Sequence, residues 1–453
     1  MSREGEHVTE EVASTSSRVV KTHLALFVNG LNGNDNNWSV VIANLRKHAA
    51  IDNVAILAST ANMSLQTYEG IDRCGQRLAE EVAEYVAVHP DLERISLIGH
   101  SMGGLIGRYA LGKLYDPETE LICGLRPTHF VTFATPHLGC DGDRSAAQVP
   151  FISWTGDIPL AGWFAERAVA AAARPFSSLF MGTTGTQFFL QDAEEGWAPL
   201  LERMTQDDPD DGYYLSALKS FVTRTCYANS SGDWLVGWAN SSLRKPEELP
   251  RLNSTKGRGV VSEEPLDAAL HPSDRLPLSP TSSTAQSEFS GRPPSARKSR
   301  GTADWMVADP LEGRSFSTSL ARTSSVGSLV MVDAEDSGGS AGHGAFPVQV
   351  RATPEDRLAA PAAGAAAAQE QVGAADAALE KSQRTLHMLA RLQELPWRRI
   401  DVCFKGTSMP FFAHNLIQVT RKWLNWEGEA VAQHFAALFT QMEADPRVQR
   451  ALR

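Results

Sequence analysis

Residues 94–115, "RISLIGHSMGGLIGRYALGKLY", constrain the fold more than any other stretch of the chain. Ile95, Leu97 and Ile98 form a short apolar run of buried-strand type. Leu105, Ile106, Tyr109, Ala110 and Leu114 then recur at helical spacing. Between them stands Gly99-His100-Ser101-Met102-Gly103. Gly99 and Gly103 flank the serine where a sharp turn needs small residues, and Gly104 lets helix and strand approach closely. Strand, tight turn and helix in that order present a serine hydroxyl at the end of a parallel strand.

The pattern G-x-S-x-G is weak on its own, and the chain contains it twice. The second copy, Gly338–Gly342 in "EDSGGSAGHG", has no strand before it and no helix after it. Context therefore selects Ser101 as the candidate nucleophile and leaves Ser340 as an ordinary serine.

Short apolar runs alternate with longer helical patterns, as expected of a mostly parallel sheet flanked by helices. The predicted strands are 23–28, 53–59, 94–99, 129–134, 222–228 and 398–404. Ile71, Cys74, Leu78, Val82, Tyr85 and Val86 line one face of a helix that Pro90 closes. Residues 1–20 are expected to be a disordered N-terminus, 21–245 the core, and 375–445 its C-terminal part. An insertion at 140–218 carries Trp154, Trp163, Phe164, Phe176 and Phe180 and is expected to be a helical cap. A second, at 246–374, is rich in Ser, Pro and Ala and is expected to be disordered. Order is expected to return with Leu379, Leu386, Leu389 and Leu392 at helical spacing.

A net charge of −11 without a basic stripe argues against nucleic acid as a partner. Five cysteines with no metal-ligand spacing read as reduced thiols of a cytoplasmic protein. The polar N-terminus resembles neither a secretory signal nor an Arg-rich transit peptide, and no long apolar run predicts a membrane span.

A serine nucleophile needs a base, and the base an orienting carboxylate. In open parallel sheets such groups lie on loops beyond the carboxyl ends of the strands. The loop after 222–228, "NSSGDWLVGW", offers Asp233. The loop after 398–404, "KGTSMPFFAHNLIQV", offers His414. The order Ser101, Asp233, His414 is that of α/β-hydrolases. His434 on the following helix is the alternative base, and Asp141, Asp143 and Asp157 are the rival acids. His100 is expected to pack at the elbow and His137 to wall the substrate site. For the oxyanion, the Met102 N–H is one expected donor. The Leu31 N–H, beyond Gly30 in "FVNGLNGNDNNW", is the other.

These blocks, with "FVTFATPHLG", "GDWLVGWANSSLR" and "AHNLIQVTRKWLNWEGEAVAQHF", resemble the eukaryotic putative serine esterase family of lipase-like α/β-hydrolases. The resemblance covers roughly 20–245 and 379–440. It implies an α/β-hydrolase fold and hydrolysis of acyl esters, lipids among them, with Ser101 as nucleophile, Asp233 as acid and His414 as base. The family usually has His-Gly where this chain has Asn29-Gly30. That position supports the oxyanion loop.

The expected activity is a serine carboxylic-ester hydrolase that needs no metal or organic cofactor and can touch a membrane or lipid droplet peripherally. Acyl transfer to an alcohol by the same triad, or an inactive lipid-binding scaffold, are the alternatives. The triad reading requires the His414 imidazole to reach both Ser101 Oγ and an Asp233 carboxylate oxygen. In fluorophosphonate labelling, Ser101→Ala is expected to lose all signal and Ser340→Ala to keep it in full.

Overall fold

The computed structural model describes residues 19–47, 51–140, 182–252, 258–271 and 380–453. All belong to one compact unit of the chain, Met1–Ser279 with Ala367–Arg453. Its centre is a seven-stranded sheet. The strands are β1 (His23–Val28), β2 (Val54–Ala58), β3 (Arg94–His100), β4 (Arg126–Phe133), β5 (Thr223–Asn229), β6 (Gly259–Glu263) and β7 (Arg398–Cys403). They lie in the order β6-β7-β5-β4-β3-β1-β2. Every pairing is parallel except the antiparallel edge pair β6–β7. This is the α/β-hydrolase fold that the sequence pattern predicts.

The inner strands β1, β3 and β4 are buried on both faces, and so are rich in apolar residues throughout. Leu24, Leu26 and Val28 of β1 enter one hydrophobic core, while Ala25 and Phe27 enter another. The first core is closed by α2 (Ile71–Ala87) and α3 (Met102–Leu114) through Leu78, Val82, Leu105 and Ile106. The second is closed by α1 (Ser39–Leu45) and α4 (Glu429–Ala444) through Val41, Leu45, Phe435 and Phe439.

Three expectations change. Strand β6 lies inside the stretch assigned to a disordered insertion at 246–374. "GVVSE" is short, and its only sheet partner is more than 130 residues away, so no local signal marks it. Residues 246–252 and 264–271 of that stretch are also described, whereas 253–257 and 272–374 lie outside the described residues. So do 1–18, which take in nearly all of the expected N-terminal tail, and 141–181, which hold all five aromatics of the expected cap. The rest of the insertion at 140–218 is not a separate layer. Phe188, Phe189, Leu200, Leu201 and Tyr214 are buried in the first core, because Tyr214 packs directly over Gly112 of α3. Finally, the helix over 380–393 buries Met388, Leu389 and Leu392, but Leu386 faces solvent.

At the end of the sheet where the strands begin, a buried carboxylate ties strands to the last long helix. Glu443 of α4 accepts from His129 of β4 at 2.9 Å. It pairs with Arg94 of β3 at 3.1 Å and with His23 of β1 at 3.3 Å. Burial alone would push its carboxyl up. The hydrogen bonds and charges of the two imidazoles outweigh that and hold it far below the usual range. The native chain therefore holds this proton less tightly than the unfolded one. The resulting stability is in force above the ordinary carboxyl value of 4.5 and drains away as pH falls below it. Glu443→Gln is expected to cost about 3–5 kcal/mol in urea unfolding at neutral pH. It is also expected to remove part of the acid sensitivity of the thermal midpoint below pH 4.5.

Candidate active site

Four strands deliver polar groups to one end of the sheet. Beyond β3, Ser101 turns the chain with φ 54° and ψ −130° before α3 begins. A side chain pays a steric cost at that φ, and such strain persists only where the surroundings over-determine it. Here they do. The Ser101 N–H donates to the Phe133 carbonyl at 2.8 Å. Gly103 lies so close to the Val28 carbonyl that a Cβ would overlap it. Gly99 packs on the backbone of Gly104.

Beyond β1, the Gly30 Cα lies against Ser101, where a Cβ would stand 2.7 Å from the serine Cβ. Asn29 is buried and holds this loop, its amide donating to the Gly30 carbonyl at 3.2 Å and the Asn62 carbonyl at 3.0 Å. Asn29 thus makes loop-supporting bonds of its own. Among the described residues nothing accepts from the Leu31 N–H. The Met102 N–H opens α3 and has no intrahelical partner.

Beyond β5, Asp233 accepts at one carboxylate oxygen from the amides of Leu235 and Val236, at 3.0 and 2.9 Å. The other oxygen takes the Asn229 side chain at 2.8 Å and His414 Nδ1 at 3.0 Å. Burial pushes the Asp233 carboxyl up, but the charge and hydrogen bond of His414, joined by Asn229, more than reverse this and keep it ionised. Beyond β7, His414 sits on one short turn of helix, Ala413–Leu416. The two loops touch at Gly232, whose φ of +75° and contact with the Pro410 carbonyl exclude a side chain.

His100 closes the arrangement from the serine side. Its Nε2 bonds the His414 carbonyl at 2.8 Å, and the two rings lie 4.8 Å apart. Burial holds its imidazole down at about 3, so it is neutral. Ser101 and His414 face a common cleft of about 410 Å³. Its walls include Leu31, Tyr68, Phe188, Phe189, Trp234 and Phe411. No hydrogen bond joins Ser101 Oγ to His414 among the described residues, so of the two expected reaches only the one to Asp233 is made. Cys140 also borders the cleft, but burial pushes its thiol up to about 12 and keeps it protonated. No group of three or more His, Cys, Asp or Glu among the described residues is arranged to hold a metal ion.

The family described as "Putative serine esterase (DUF676)" matches residues 18–243. The chain belongs to this family. Among relatives of this chain, "Putative lipase ROG1" of Saccharomyces cerevisiae is 26% identical over 227 residues, which is 49% of this chain and 29% of the yeast protein. "Putative lipase C4A8.10" of Schizosaccharomyces pombe is 22% identical over 278 residues, 59% of this chain and 32% of that one. The chain thus spans about a third of the length of these relatives. Among solved structures, Aspergillus fumigatus lipase B pairs with 49% of this chain at 15% identity and a TM-score of 0.28, covering 41% of its own chain.

Other sequence expectations fare differently. His434 is not near Ser101: it bonds Tyr227 at 3.0 Å and Glu263 at 3.2 Å. His137 is not a substrate wall but is fully buried, bonded to Thr132 and packed edge-on against Trp397. His100 does more than pack at the elbow. Asp141, Asp143 and Asp157 lie outside the described residues. Asn229 and Phe411 carry no signal of their own in the sequence, although "NSSGD" and "MPFFAH" set them within a few residues of Asp233 and His414. Gly232→Ala is expected to part the two loops and cut turnover on the order of 10²-fold, as small displacements of reacting groups do. Turnover measured beside a thermal melt checks that activity falls further than stability.

Proposed function

We propose that this chain is a serine carboxylic-ester hydrolase acting on acyl esters of lipid type through Ser101, His414 and Asp233. The observation that carries the reading is the 3.0 Å bond from His414 Nδ1 to Asp233, in the wall of the cleft that Ser101 enters. With the Nδ1 proton held by an ionised carboxylate, the Nε2 lone pair is free to accept the serine proton. Ser101 Oγ then attacks the ester carbonyl, and the oxyanion takes the amides of Leu31 and Met102. His414 returns its proton to the leaving alcohol, and an acyl-enzyme remains. Water, deprotonated by His414, releases the acid and regenerates the serine. The separation of Ser101 from His414 is no obstacle, since catalytic hydrogen bonds are often long in free enzymes and tighten with substrate.

His100 and Asn29 position rather than react. One holds the backbone of the base, the other the backbone of the oxyanion loop. The apolar walls suit a fatty-acyl chain better than a polar acyl group.

Hydrolysis of a chromogenic acyl ester tests the reading. Ser101→Ala and His414→Ala are expected to lose roughly 10⁶-fold in kcat, and Asp233→Asn roughly 10⁴-fold, with folding unchanged. Turnover surviving in Ser101→Ala would refute the assignment.

A further inference from the structure

Ester chemistry does not account for the mouth of the cleft. Phe411 is 65% exposed, Trp423 76% and Trp426 58%. Phe411 lines the cleft, and its ring lies 5.8 Å from that of Trp234, which also lines it. Arg421, Leu424 and Asn425 line it too, and Trp423 and Trp426 are interleaved with them along the chain. The two loops are tied together, because the Ser408 N–H and hydroxyl both donate to Glu427, at 2.8 and 2.5 Å. Exposed Phe411 therefore borders the cleft that Ser101 enters, and exposed Trp423 and Trp426 adjoin lining residues on the segment tied to it.

The charge of this rim opposes that of the chain. Residues 405–428 carry Lys405, Arg421 and Lys422 against the single acid Glu427, in a protein of net charge −11. Arg421 and Lys422 are exposed, and neither makes an ion pair with any described residue. Exposed tryptophans beside unpaired cations match the boundary of a lipid bilayer, where an indole ring sits at headgroup level and cations meet anionic lipid. A protein seated on the rim would block the cleft, whereas a lipid surface would feed it.

We propose that this rim docks the protein on the surface of an anionic phospholipid bilayer, with Phe411, Trp423 and Trp426 entering the headgroup layer and Arg421 and Lys422 facing lipid anions. The inference rests on the ester-hydrolase reading only in making a membrane lipid the substrate. Docking itself needs no catalysis.

The test is cosedimentation of the full chain with vesicles of phosphatidylcholine, with and without phosphatidylserine. Wild type is expected to bind the anionic vesicles more tightly, and less so as salt rises. Trp423→Ser combined with Trp426→Ser is expected to weaken binding at least about tenfold. Lys422→Gln is expected to weaken it about fivefold. Turnover of a water-soluble short-chain ester, measured in parallel, should be unchanged in these variants and reports that they fold. No binding by wild type, or binding unchanged in both variants, overturns the proposal. Self-association through the rim in place of vesicle binding assigns it to a second copy and equally overturns it. Rim-dependent binding by a chain that hydrolyses no ester upholds docking and removes the hydrolase reading alone.

Discussion

The turn at Ser101 is the constraint on which the rest of the site depends. A side chain at φ 54° is held there only because α3 is pressed onto the sheet, with Gly103 against the Val28 carbonyl and Gly99 against Gly104. That closeness fixes the start of α3 within reach of the loop after β1. Gly30 then lies directly against the serine side chain. A methyl group at Gly30 or Gly103 would force the layers apart.

The two ends of the sheet are held differently. Where the strands begin, Glu443 gathers His23, Arg94 and His129 in a buried cluster that anchors α4 to three strands. At the other end, loops carry the polar groups. A second buried carboxylate supports them: Asp401 of β7 takes the indole N–H of Trp238 and the guanidinium of Arg244, both at 2.7 Å. This fixes the far end of the loop that presents Asp233. Rigid anchoring behind the site and short hydrogen-bonded loops in front of it are what a pre-organised catalytic geometry requires.

The loop bearing His414 serves two surfaces at once. Its buried side meets Asp233 and His100, while its outer side presents Phe411 and, a few residues on, Trp423.

How much was legible in advance follows from which signals are local. The six parallel strands could be read because most are short, largely apolar runs buried on both faces, and the elbow because strand, glycines and helix adjoin. Asp233 and His414 could be chosen because a parallel sheet sends its loops to one end, and the chain order of strands says which loops those are. The edge strand Gly259–Glu263 could not be read, since its pairing with β7 spans a long separation and leaves no periodicity in five residues. Nor could Leu386 be placed in solvent, or His137 in the core. Helical spacing names a face, but only the neighbours decide what covers it. The bond of His100 to the His414 carbonyl joins residues 314 apart. The sequence by itself determined the kind of sheet, the tight turn at the serine and the loops that carry Asp233 and His414 to one end of it. Tertiary structure alone decided which side chains meet, because hydrogen bonds and steric exclusion act over a few ångströms that no chain pattern encodes.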